Sequence, residues 1–212
     1  MYAFLSKLLL TKKISFDQGK IVLFNEPYAI IAMESLKVMT DDAIKEGLKS
    51  ISDLYFYGWV FGFVGVEKAM NTFKLKKFEE RYKLSMDIAS LIGFGDYKTL
   101  EYKKAEFAKF LAIKNPFALE YYKSDKLVDH YLRGVNAGGG TVGHEILMQC
   151  VELECGAQTG ENCRFINATR SVLEKTVDKK LIETQLDIDY LESKQIAIMK
   201  KYAQDPTLYG LQ

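Results

Sequence analysis

Glu152-Leu-Glu-Cys155 and Cys163, with His130 a short way upstream, gather thiols, carboxylates and an imidazole into one short stretch. Those side chains are the donor types that hold zinc: sulfur, nitrogen and oxygen at four tetrahedral corners. Four protein ligands would close the site, making it structural, whereas a catalytic zinc keeps a position for water. Between the thiols runs Gly156-Ala-Gln-Thr-Gly160-Glu-Asn, rich in turn formers, which predicts a tight loop returning Cys163 towards Cys155. The spacing is no standard finger pattern. Buried thiol pairs are also ordinary core residues, so the residues alone leave metal and core readings open.

Strand geometry adds a condition. Side chains alternate along a strand, so Cys150, Glu152 and Glu154 share one face and Cys155 takes the other. For Glu152 and Cys155 to meet on one ion, the strand must bulge or end between Leu153 and Cys155, next to Gly156. Glu154 competes with Glu152, and His144 competes with His130.

Other chemistries lack their residues. Gly138-Gly-Gly140 has no following Lys-Ser/Thr and so forms no phosphate loop. There is no Gly-x-Ser-x-Gly elbow and no dinucleotide fingerprint. Three cysteines and two histidines offer no nucleophile with an orienting third group. No enzyme chemistry is visible.

The elements around the site follow from pattern. Ile14 to Phe16 and Lys20 to Phe24 read as a hairpin about Asp17-Gln-Gly19. Helices are expected over 28–38, over 42–73 with a cap at Thr40-Asp-Asp, and over 75–91, ending at Gly93-Phe-Gly95. Gly58, Gly62 and Gly65 in the second of these imply close packing or a break. Strands are expected over 98–102 and 106–113, a helix over 117–133, a Gly-rich run over 134–140, and strands over 147–155 and 163–167. One charged helix should fill the stretch from Thr169 to Ala203.

Composition bounds the partners. Lys and Arg number 29 against 28 Asp and Glu, which removes a whole-chain basic field for nucleic acid. The longest apolar stretch, Leu54 to Val66, is too short to span a bilayer, and the amino terminus lacks a signal cleavage pattern. An odd cysteine count fits a reducing compartment. The expectation is a cytoplasmic protein with neither membrane nor direct nucleic-acid binding.

His130-Tyr-Leu-Arg-Gly134-Val-Asn-Ala-Gly138, followed by Cys150-Val-Glu152 through Cys155 to Cys163-Arg-Phe165, resembles the four-vinyl reductase domain family. Phe16 to Phe24 and Tyr57-Gly58 through Gly62 to Ala69 resemble the amino-terminal sensor region of aromatic-responsive, sigma-54-dependent activators. The resemblance implies an α+β fold: a small antiparallel sheet with helices around it, similar to transport-particle tethering subunits and usually dimeric. It divides the chain into a helical amino-terminal half (1–95), a zinc module (96–168) and a carboxy-terminal helix (169–212). It implies Zn2+ on Glu152, Cys155 and Cys163, with His130 as the fourth ligand and Asp129 or a water as the alternatives. Phenol-type sensors hold their effector in an apolar pocket through a His and a Trp. Those positions fall near Ala89 and Ile113 here, with Leu111 counted in the same wall, so that polar grip would be missing. Cys150 stands at a further pocket position. Trp59 belongs to core or dimer packing in one reading and to the pocket wall in the other.

The resulting expectation is a stand-alone, homodimeric, zinc-containing sensor of a small, mostly apolar molecule, aromatics included, signalling through an effector protein the sequence does not name. The activators' ATPase and helix-turn-helix modules have no counterpart within these 212 residues. The alternatives are a ligand-free dimeric scaffold and a reductase.

Overall fold

In the computed structural model the β-rich runs on either side of Gly19 pair antiparallel, as their composition predicts. The structure describes residues 2–17, 19–203 and 205–211; Gln18, in the expected turn, lies outside the described residues. After helix α1 (Tyr2–Leu10), strands β1 (Ile14–Asp17) and β2 (Lys20–Leu23) align Phe16 with Ile21. A third strand, β3 (Glu26–Tyr28), adds to β2 and ends on Tyr28, the residue expected to start a helix. That helix, α2 (Met33–Glu46), runs straight through Thr40, which is buried in its interior and caps nothing. The break falls instead at Gly47, whose φ of 98° favours glycine. Helix α3 (Leu48–Phe73) follows, then α4 (Phe78–Leu91).

The main sheet has the order β4-β5-β7-β6 and is antiparallel throughout. It is built from β4 (Asp96–Lys103), β5 (Phe107–Ile113), β6 (Gln149–Glu154) and β7 (Cys163–Ala168). Phe110 of β5 pairs with Phe165 of β7, and their rings stack at 5.6 Å. The chain is thus an α+β protein, as expected.

Between β5 and β6 the structure departs most from the sequence reading. The helix expected over 117–133 shrinks to one turn, α5 (Pro116–Leu119), capped by Asn115 Oδ1 accepting from the Phe117 N–H at 3.1 Å. The Gly-rich run lies inside a buried helix, α6 (His130–His144). Tertiary packing explains this. A Cβ on Gly134 would sit on the Tyr55 carbonyl oxygen, and one on Gly138 on that of Trp59. From the other side, Gly58 faces the Tyr131 carbonyl and Gly62 that of Val135. The backbones of α3 and α6 therefore touch, and the seam's approach offsets the helix cost of these glycines.

After one-turn helix α7 (Gly156–Thr159) and β7, the expected single helix is divided into α8 (Arg170–Thr176), α9 (Lys179–Glu183) and the long α10 (Ile188–Tyr202). Two caps account for the breaks: Asp178 accepts from the Leu181 N–H at 3.0 Å and Asp187 from the Tyr190 N–H at 3.2 Å. Helix α10 is tied to edge strand β6 by a buried amide pair. Gln149 Nε2 donates to Gln195 Oε1 at 2.6 Å, and Gln195 Nε2 donates back to Gln149 Oε1 at 3.2 Å.

Candidate metal centre and apolar cavity

Asp129, Glu152, Cys155 and Cys163 each place one ligand atom within 4.8 Å of the other three, and all four are buried. Asp129 precedes the first turn of α6, Glu152 lies on β6, Cys155 follows β6 and Cys163 opens β7. The register of β6 on β7 shifts between Glu152 and Glu154, the irregularity needed to bring Glu152 and Cys155 together. Asn115 Nδ2 donates to Asp129 Oδ1 at 2.8 Å and approaches Cys163 Sγ at 3.6 Å, while the Gly156 N–H reaches that sulfur at 3.2 Å.

His130 stands outside this group. As the first residue of α6 it faces Arg133 one turn on, and its Nδ1 lies 2.7 Å from Arg133 Nη2. A guanidinium only donates, so Nδ1 accepts and the proton belongs on Nε2. Burial, then the Arg133 charge, hold His130 well below its usual pKa. The fourth member of the cluster is thus Asp129, the neighbour, while His130, the expected ligand, lies outside it. Glu154 is also outside, pairing with Arg164 at 3.4 Å.

The electrostatics of the cluster are those that a cation would relieve. Burial raises the pKa of Asp129, and burial followed by the Asp129 and Cys155 charges raises that of Glu152 well above the carboxylate range. Hydrogen bonding to Cys163 brings Cys155 down to about 7, while the same contact and burial push Cys163 up. Asp129 Oδ2 and both Glu152 carboxylate oxygens are buried with no hydrogen-bond partner. Arg133, fully buried, balances part of this charge and spends its donors on His130, the Cys150 carbonyl (3.4 Å) and the Gln185 carbonyl (3.3 Å). Orphaned oxygens beside two thiols fit a borderline-soft divalent ion. Tetrahedral zinc would set these atoms roughly 3–4 Å apart, which asks for a small contraction.

A second feature lies along α6. A cavity of about 40 Å³ is walled by Tyr82, Ala89, Ala108 and Phe110, with Asn136, His144 and Asn167 among its polar members. Of the five expected pocket residues, Ala89 lines it. Leu111 and Ile113 do not: β5 buries Ala108, Phe110 and Ala112 on one face, and these two residues take the other. Trp59 stacks on Phe63 at 4.9 Å in the core, and Cys150 gives its N–H to the Tyr55 hydroxyl at 2.9 Å; neither borders the cavity. Strand parity could have found Ala108 and Phe110. Asn136 was hidden in the glycine run. Tyr28, Phe61 and Ile92 separate the cavity from an outer apolar groove of about 320 Å³, lined also by Ile30, Ile31 and Phe94. Among the described residues no helix is long and apolar enough to cross a membrane.

No protein-family model matches the chain, and no curated protein matches it in sequence. Solved structures do match in fold. The phenol-responsive sensory domain of the transcription activator PoxR, crystallised with phenol, is similar at 16% identity and a TM-score of 0.70, over 97% of this chain and 98% of that one. A trafficking protein particle complex subunit 3 from Naegleria fowleri, covalently bound to palmitic acid, is similar at 12% identity and a TM-score of 0.50, over 64% of this chain and 91% of that one. The chain therefore shares its fold end to end with the first structure and over about two thirds of its length with the second.

Proposed function

We propose that this protein is a zinc-containing ligand-sensing domain that binds a small, mostly apolar molecule, works as a homodimer and passes its signal to a protein partner. The observation that carries the reading is the end-to-end likeness to a phenol-responsive sensory domain. Two features of the chain agree with it. Helix α6 starts directly after Asp129 of the acidic cluster and continues along the apolar cavity, so one element joins the two sites. Exposed Ile30, Ile31, Val38 and Met39 give the amino-terminal half an apolar face suited to a second copy.

In this reading Asp129, Glu152, Cys155 and Cys163 hold the zinc, which pins the β6–β7 hairpin and does no chemistry of its own. The Gln149–Gln195 pair carries any shift of β6 to α10, the lever towards a partner. A ligand-free scaffold is the second reading, favoured by the tethering-subunit likeness and by the small volume of the cavity.

Native mass spectrometry of the untreated full chain tests this directly. One zinc per chain, a dimer mass and a co-purified small molecule are expected. Metal removal by a chelator should lower the melting temperature by about 5–10 °C, a loss of a few kcal/mol for a chain of this size. An unchanged melt after zinc is shown to be gone would end the structural-zinc reading. A dimer that binds none of a panel of small aromatics would favour the scaffold.

A further inference from the structure

The cavity holds more unpartnered polarity than an apolar pocket tolerates. Asn136, His144 and Asn167 line it, at 7%, 1% and 4% exposure, and each has a buried side-chain atom without a hydrogen-bond partner. Leaving such atoms unsatisfied costs about 1–3 kcal/mol apiece. Their roles are set by what their other atoms do. Asn167 Nδ2 donates to the Asn136 carbonyl at 2.6 Å, which leaves Oδ1 as a free acceptor. Asn136 Oδ1 accepts from the Tyr97 hydroxyl at 2.9 Å, which leaves Nδ2 as a free donor. His144 Nδ1 accepts from the Ala105 N–H at 3.2 Å, so its free Nε2 carries a proton.

Placement brings the two asparagines together. Asn136, Gly140 and His144 recur every four residues and share one face of α6. Gly140 has no side chain, and a Cβ there would meet Asn167 Nδ2 at 2.5 Å, so the glycine makes room for that carboxamide. Two bonded neighbours of the cavity lining thus carry one free donor, on Asn136, and one free acceptor, on Asn167. His144 lies two turns beyond Asn136, roughly 12 Å along the helix, and so serves a separate point.

Charge narrows the choice. The described lining contains no Asp, Glu, Lys or Arg. The Arg81 guanidinium is engaged by Glu145 and the Val142 carbonyl. Burial, then Arg81 and Lys104, lower the His144 pKa to about 4, leaving the ring neutral. An anion would find no countercharge and would face the Asn167 oxygen.

We propose, building on the sensing reading above, that this cavity selects an uncharged head group that accepts and donates at once, of the carboxamide type, with Asn136 Nδ2 as donor and Asn167 Oδ1 as acceptor. The inner cavity is sized for such a head group and not for a ring. The apolar remainder of the ligand extends past Tyr28 and Phe61, whose rings meet edge to face at 6.0 Å, into the outer groove.

Calorimetric titration of the full chain with benzamide, benzoate and toluene, near-isosteres that differ in head group, tests this. Benzamide should bind at least tenfold more tightly than either of the others. The Asn167→Leu variant, and Asn136→Ala as a second, should abolish that preference while still binding toluene. Equal binding of benzamide and toluene would overturn the polar pair yet leave the sensing reading standing. Benzoate binding as tightly as benzamide would overturn the neutral head group. Binding of none of the three would overturn both this inference and the sensing reading, with buried water then the occupant of the cavity.

Discussion

Asp129 and His130 adjoin in the chain, yet Asp129 reaches the thiols of Cys155 and Cys163 while His130 turns its ring to Arg133. The last residue before α6 and the first residue within it point their side chains to different surroundings, and the two have different jobs. Asp129 offers a ligand atom to the cluster; His130 pairs with Arg133 beside it. Replacing Asp129 by Ala should therefore weaken zinc binding by more than a hundredfold, since it removes a ligand outright. His130→Ala should keep the metal and weaken it by about 10–100-fold, as loss of an outer partner does. Competition against a chromophoric chelator measures both. Zinc lost from His130→Ala and kept by Asp129→Ala would reverse the assignment.

The same pair shows how far the chain could be read. Glu152, Cys155 and Cys163 are legible because the donor types, the turn-forming loop and the need for a bulge are all local, and the register shift after Glu152 supplies that bulge. Choosing between Asp129 and His130 depends on where α6 begins, and that boundary is set by packing. The glycine run is helical for a related reason. Gly134 and Gly138 look like loop residues until Tyr55 and Trp59, some 80 residues away, are brought against them. Leu111 and Ile113 lie on the less buried face of β5, whereas Ala108 and Phe110, on the buried face, line the cavity, as strand alternation requires. Asn136 and Asn167 carry no sequence signal of their own, since their free atoms are defined by contacts across the fold.

The seam between α3 and α6 makes a sharp demand on side-chain volume. Gly134→Ala would drive a methyl into the Tyr55 carbonyl, and the backbones on both sides must move apart. Overpacking of this kind should cost about 3 kcal/mol or more, lowering the melting temperature by about 6–12 °C. Gly139→Ala is the control, because its Cβ would meet only Val66 Cγ2 at 3.4 Å. It should stay within about 1 kcal/mol of the parent, helped by alanine's helix preference. Thermal melts followed by circular dichroism compare the two. Equal melting temperatures for both variants would show that the helices do not approach as closely as the glycines imply.

His144 should make the fold acid-sensitive. Buried at the end of α6 against the rings of Phe78 and Tyr82, it has a pKa lowered from 6.5 to about 4 by burial, then by Arg81 and Lys104. A depressed histidine pKa means that the unfolded chain binds the proton first. The stabilisation is complete above pH 6.5 and is lost as the pH falls from there towards about 4. Between pH 7 and pH 5 the loss should be about 2 kcal/mol. The groups of the buried cluster also take up protons in acid, but they do so equally in a His144→Gln variant. The difference in urea unfolding between that variant and the parent at the two pH values therefore isolates this ring. The parent should lose about 2 kcal/mol more than the variant; equal losses would mean that His144 titrates as freely in the folded protein as in the unfolded chain.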